Sequence, residues 1–161
     1  MEILSGSCRL GLWHVHVYWS GNTIHRVRFA TTGIDGDVPT PVRQFCAGRA
    51  VNLRSFASVA IHDDTPYSRI YRAVQEIPYG KTATYGEIAR QVSTSPRVVG
   101  QAMARNATPL VIPCHRVVAA GGIGGFSPAI EIKQLLLDME RKGVRKGRIS
   151  PRVNYYIQEI Q

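Results

Sequence analysis

Two amphipathic stretches separated by only a few residues restrict what this chain can become. Thr84 is a natural N-cap for a helix running through Val92, with Ile88, Ala89 and Val92 turned inward. After Ser93-Thr94 a second helix opens, with Ser95 as its cap and Pro96 at the first helical position. Two helices joined by so tight a turn read as a helix-turn-helix. The second helix has two unlike faces: Val99, Ala102 and Met103 form a core stripe, while Arg97, Gly100, Gln101 and Ala104 share the other side. Gly100 costs about 1 kcal/mol of helix propensity relative to Ala. Either a neighbouring helix or a nucleic-acid backbone approaching that face would account for it.

The flanking segments fit one globular chain. Tyr67, Ile70, Tyr71, Val74 and Ile77 recur at helical spacing after Thr65-Pro66, and Pro78-Tyr79-Gly80 stops that helix. Alternation over residues 10–19, a turn at Ser20-Gly21-Asn22 and apolar positions Ile24, Val27 and Phe29 read as an antiparallel hairpin over residues 8–30. Val42, Phe45 and Cys46 mark a short helix, and residues 51–61 are expected to return as a strand. Ser127-Pro128 is expected to start a last helix with Ile132, Leu135, Leu136 and Met139 on its apolar face, ending at Gly143.

Charge and cysteine count narrow the class. Twenty Lys and Arg against 11 Asp and Glu give a net charge of +9, the balance of a protein that meets polyanions. Three widely spaced cysteines, Cys8, Cys46 and Cys114, do not make a secreted disulfide framework. No membrane span or secretory leader is visible, so a soluble protein with a cytoplasmic location is expected. His14-x-His16, near Cys8 and His25, is a weak metal signal, because tetrahedral zinc needs four converging ligands; no metal and no cofactor is assigned.

The run Ile112-Pro113-Cys114-His115-Arg116-Val117 carries the chemistry. A thiol attacks as thiolate, and neighbouring imidazole or guanidinium favours that form. Free cysteine is also among the most buried residue types, so inert packing is the plain alternative. The Gly-rich stretch 121–125 follows as a loop, without the spacing of a dinucleotide-phosphate cradle.

Taken with Pro78-Tyr79-Gly80-Lys81-Thr82, Thr84-Tyr85-Gly86-Glu87-Ile88-Ala89, residues 96–103 and Asn106, this run resembles the O6-alkylguanine-DNA alkyltransferases, also called methylated-DNA-protein-cysteine methyltransferases. The resemblance covers roughly Thr65 to Lys142. It implies an α+β (α/β) fold: a small N-terminal antiparallel-sheet lobe with a short helix, ribonuclease H-like, over residues 1–63. A helical, winged-helix-like DNA-binding lobe over residues 64–143 and a basic tail over residues 144–161 would follow.

The activity implied is single-turnover, irreversible transfer of an alkyl group from O6-alkylguanine, and conceivably O4-alkylthymine, onto Cys114. A monomer would bind duplex DNA through the minor groove and flip the damaged base into a pocket. His115 would take the thiol proton through a water, with Glu140 holding the imidazole. Tyr85 would stack by the nucleotide and offer its phenol to guanine N3; Ser127 would hold O6. The carbonyls of Cys114 and Val117 would read the exocyclic amine, and Phe126 would line the pocket where many relatives have Tyr. Asn106 would brace the segment leading to the cysteine. Arg97 would fill the gap in the base stack, with Gly100, Gln101, Ala104 and Arg116 also at the DNA. Two other classes stay open: a non-catalytic module that recognises alkylated DNA and recruits other factors, and a cysteine hydrolase.

Overall fold

The computed structural model describes residues 2–63 and 65–145. The basic tail expected over residues 144–161 therefore lies, beyond Arg145, outside the described residues. Three strands come first, not one hairpin: β1 (Leu4–Leu10), β2 (Trp13–Ser20) and β3 (Thr23–Ala30) form an antiparallel meander. Gly11 and Gly21, at φ 58° and 55°, take the left-handed positions of its two-residue turns. β1 escapes a hydrophobicity reading because its inward positions include Gly6. A Cβ there would sit 2.1 Å from the Asp37 carbonyl oxygen, so the loop after β3 lies directly against the strand.

One sheet face carries Val15, Val17, Val27 and Phe29, and α1 (Thr40–Cys46) buries Val42, Phe45 and Cys46 against it. The strand expected across residues 51–61 shrinks to β4 (Ala57–Ser58), which pairs parallel to β3 after a 3₁₀ turn at Leu53–Ser55. Asn52 caps that turn by accepting the Arg54 N–H, which competes with extension of the strand.

The helical part follows its caps. The Thr65 hydroxyl accepts the Ser68 N–H ahead of α2 (Pro66–Gln75). Thr84 and Glu87 form a reciprocal capping box on α3 (Tyr85–Gln91), and Ser95 accepts the Val98 N–H ahead of α4 (Pro96–Ala104). These three helices share a core of Ile70, Tyr71, Val74, Ile88, Val99 and Ala102. Two short parallel strands, β5 (Ala83–Thr84) and β6 (Val117–Val118), bring the entry to α3 beside the exit of the cysteine segment.

α5 (Ile130–Arg145) ties both cores together, with Ile132 and Leu136 reaching the sheet core. It starts two residues after the expected Ser127-Pro128 and does not stop at Gly143. That glycine is instead a packing residue: a Cβ on it would lie 2.7 Å from the Tyr79 hydroxyl. The fully buried stripe of α5 comprises Ile132, Lys133, Leu136, Glu140 and Gly143, while Leu135 and Met139 are only half-buried.

Candidate active site and nucleic-acid interface

The segment after α4 is shaped to present Cys114. Pro113, at φ −77° and ψ 67°, has inverse γ-turn geometry, and the Cys114 N–H donates back to the Ile112 carbonyl at 2.7 Å. Asn106 fixes this turn from both ends. Its Nδ2 donates to the Ile112 carbonyl at 2.9 Å and its Oδ1 accepts the Thr108 N–H at 3.0 Å. Cys114, His115 and Arg116 then form one turn of 3₁₀ helix.

Each side chain of that turn has its own environment. His115 is fully buried, and its Nε2 lies 2.6 Å from Glu140 Oε2. A carboxylate only accepts, so Nε2 carries the proton and Nδ1 keeps a free lone pair. Nδ1 meets no polar atom of the described protein. Burial holds the imidazole below its ordinary pKa against the opposing pull of Glu140, so it is neutral at pH 7.

Arg116 does not reach the DNA surface that the sequence assigns it. Only 8% exposed, it grips Glu140 in a fork, with Nε 2.9 Å from Oε1 and Nη2 2.9 Å from Oε2, while Nη1 donates to the Ile77 carbonyl at 2.9 Å. Glu140 Oε1 also accepts the Gly80 N–H at 2.9 Å. Burial alone would raise the Glu140 carboxyl, but Arg116 and His115 outweigh it and bring its pKa down to about 2.

Lys133 is the site residue that sequence reasoning missed. Its Nζ donates to the Val117 carbonyl at 2.6 Å and the Gly125 carbonyl at 3.2 Å, and it lies 5.7 Å from the centre of the Tyr85 ring. Burial brings it down to about 8. One lone pair of the Val117 carbonyl is thus engaged, as is one of Cys114, whose carbonyl accepts the Val117 N–H. The visible signal was a lysine three residues before Leu136 and seven before Glu140, on their helix face. For Cys114 itself burial raises the thiol pKa, opposed by a hydrogen bond from Asn106 and by the Lys133 charge.

Cys114 lies in a cleft of about 510 Å³, lined by Tyr85 of α3, by Gly100, Met103 and Ala104 of α4, by Asn106, and by the Phe126-Ser127-Pro128 loop. Tyr85 is the first residue of α3, half-buried, with its hydroxyl against the 124–125 backbone; burial raises its phenol pKa. Phe126 packs on Phe29 with ring centres 5.6 Å apart, and Ser127 is exposed at the mouth. On α4, Arg97, Gln101 and Ala104 are exposed. No atom lies within 4 Å of a Cβ built on Gly100, so packing within the chain does not require that glycine.

The expected site residues thus gather in one place, apart from Arg116, which faces inward, and Arg97 and Gln101, which stand on the outer face of α4. The candidate metal residues do not gather: His16 bonds the Thr32 carbonyl and His25 bonds Ser20, and no group of three ligating side chains converges among the described residues.

Residues 65–142 match the family model described as 6-O-methylguanine DNA methyltransferase, DNA binding domain. Over those residues the chain is similar to this family's DNA-binding domain. A methylated-DNA-protein-cysteine methyltransferase of Methanopyrus kandleri is 52% identical over 71 residues, 44% of this chain and 54% of the relative. The chain thus spans about half the length of the curated relatives it matches. The fold similarity extends further. An O6-methylguanine-DNA methyltransferase structure from Pyrococcus kodakaraensis is 27% identical, with 86% of this chain and 99% of that one covered, TM-score 0.66. The Mycobacterium tuberculosis O6-methylguanine methyltransferase, 22% identical over 96% of this chain and 99% of that one with TM-score 0.71, shares the fold. No described helix is long and apolar enough to cross a membrane.

Proposed function

We propose that the chain repairs DNA by moving an alkyl group from O6 of guanine in duplex DNA to the Cys114 sulfur. The observation that carries this is one cleft in which a nucleophilic thiol and a phenol face the same space, with a helix-turn-helix face at its rim. The order of events follows from the chemistry. α4 lies in the minor groove with its small-residue face against the duplex, and Arg97 fills the gap left by the damaged base. The extruded guanine enters the cleft beside Tyr85, with Ser127 at O6 and Phe126 on the wall.

His115 Nδ1 accepts the thiol proton by way of a water, because the Glu140 carboxylate keeps the proton on Nε2 and stabilises the imidazolium that forms. The sulfur attacks the alkyl carbon; the S–C bond forms as the C–O6 bond breaks, and the electron pair goes to the purine. Tyr85 gives its phenol proton to N3 of the leaving base and regains one from solvent as the His115 imidazolium gives up the thiol's proton, so the net transfer is one proton from thiol to guanine. The S–C bond of a dialkyl thioether is not cleaved by water, so each molecule acts once.

In this reading residues 1–63 are a scaffold lobe, residues 64–143 hold the DNA-binding and acceptor machinery, and the protein acts as a monomer without a cofactor. The test is Cys114→Ala set against wild type on a duplex with one O6-methylguanine. Lost transfer with retained binding is the expected pair of results. Transfer that survives the substitution would remove Cys114 as acceptor, and a wild type that binds but never transfers would leave the non-catalytic module.

A further inference from the structure

We propose that Arg26 and Arg28 of β3 bind backbone phosphates of the strand whose base enters the cleft, so that the N-terminal sheet forms the second wall of the DNA site. The inference rests on the alkyl-transfer reading and extends it to a part of the chain outside the matched domain. The two arginines are two residues apart on one strand and so point to the same face of the sheet, opposite Val27 and Phe29 in the core. Both are exposed, and both line the cleft that holds Cys114 and Tyr85.

Their placement is held by the backbone. The Val27 N–H between them donates to the Ala107 carbonyl at 3.0 Å, and Ala107 directly follows Asn106, the brace of the cysteine segment. The buried Ser58 and Thr108 hydroxyls, 2.6 Å apart, make a second tie across the same junction. β3 is therefore docked to the loop that carries the acceptor, and its arginines keep a fixed position relative to the cleft.

Their charge is unspent. The described ion pairs engage Asp37, Glu76, Asp63, Glu140 and Asp138, and none involves Arg26 or Arg28. Among the described residues no Asp or Glu lines the cleft. Two unpaired guanidiniums beside a carboxylate-free cleft suit a ligand that brings its own negative charge along an edge, and the backbone of an extruded nucleotide does so with successive phosphates. Arg97 stands exposed on α4, the helix that lines the cleft with Gly100, Met103 and Ala104, so the strand would be held between two elements distant in sequence.

The test is the salt dependence of binding to a short duplex with one O6-methylguanine, measured in a Cys114→Ala background so that the lesion is not consumed. Each lost phosphate contact lowers the slope of log K against log salt by about 0.9. Arg26→Ala/Arg28→Ala should lower it by about 2, and Arg26→Lys/Arg28→Lys should keep the parent slope. Arg9→Ala/Arg43→Ala removes the same charge from the same lobe away from the cleft and should change the slope little. A slope for the Arg26/Arg28 alanine pair that matches this control overturns the proposal. If the alanine pair does not fold, Arg26→Gln/Arg28→Gln serves the same test. Failure of the alkyl-transfer reading looks different: wild type would leave Cys114 unmodified, whatever the slopes.

Discussion

Glu140 holds His115 from one side and Arg116 from the other, with imidazole and carboxylate 2.6 Å apart and both withdrawn from solvent. Because the carboxylate is already neutralised by the guanidinium fork, it orients the imidazole without making it a permanent cation. Neighbouring residues of one short turn therefore serve different ends: in the proposed reaction His115 supplies the base, while Arg116 keeps the orienting carboxylate ionised inside the protein.

Glu140→Gln should cost both rate and stability. It leaves Arg116 buried without its counter-charge, a loss on the order of 3–5 kcal/mol for one partner of a buried pair. It also replaces one of two acceptor oxygens by a donor, so His115, Arg116 and the Gly80 N–H compete for the oxygen that remains and the His115 tautomer is no longer fixed. Urea unfolding at pH 7 and single-turnover alkyl transfer check the two effects; transfer should slow by at least tenfold.

Acid sensitivity follows from the same pair. Glu140, near 2 in the folded chain against about 4.3 unfolded, contributes stability that is present above the unfolded value and lost as pH falls toward 2. His115, held neutral below its ordinary value, adds a loss of the same sign as pH falls through about 6.5, where the unfolded chain takes up the proton first. The urea midpoint of wild type should therefore drop steadily below pH 6.5, and the part below pH 4.5 should be absent in Glu140→Gln.

Lys133→Met keeps the volume near Tyr85 and removes the cation that favours the Cys114 thiolate. The thiol pKa should rise, and alkylation of Cys114 by iodoacetamide near pH 7.5 should slow several-fold, converging with wild type at high pH. Equal pH profiles would show that the Lys133 charge does not act on the sulfur.

Gly100→Ala separates folding from binding. Nothing stands within 4 Å of the added methyl, so the helix should gain about 1 kcal/mol. If α4 presses this face against DNA, duplex affinity should fall while the melting temperature rises. A stabilised protein with unchanged affinity would place the contact elsewhere.

Sequence reading reached the features set by local chemistry. The caps at Thr65, Thr84 and Ser95 appear where the residues place them, and the cysteine run, Tyr85, Asn106 and Glu140 converge as the resemblance implies. What it missed depends on partners distant in the chain. β1 hides behind Ser5-Gly6-Ser7 because its inward glycine is explained only by the Asp37 backbone. Arg116 turns inward because Glu140, 24 residues later, is there to receive it. Lys133 sits on a core stripe because two backbone carbonyls meet its ammonium, and Gly143 continues its helix because Tyr79 needs the space. The cleft wall formed by Arg26 and Arg28 depends on the docking of β3 onto Ala107, which no local pattern encodes.

The central claim is that Cys114 is an acceptor consumed by one reaction, and intact-protein mass spectrometry with peptide mapping tests it most directly. With excess duplex carrying O6-methylguanine, every active chain should gain one methyl group, located on Cys114 and absent from Cys8 and Cys46, with product guanine equal to modified protein. Guanine restored in the duplex beyond one equivalent of protein, or a methyl group on any other residue, would contradict the account.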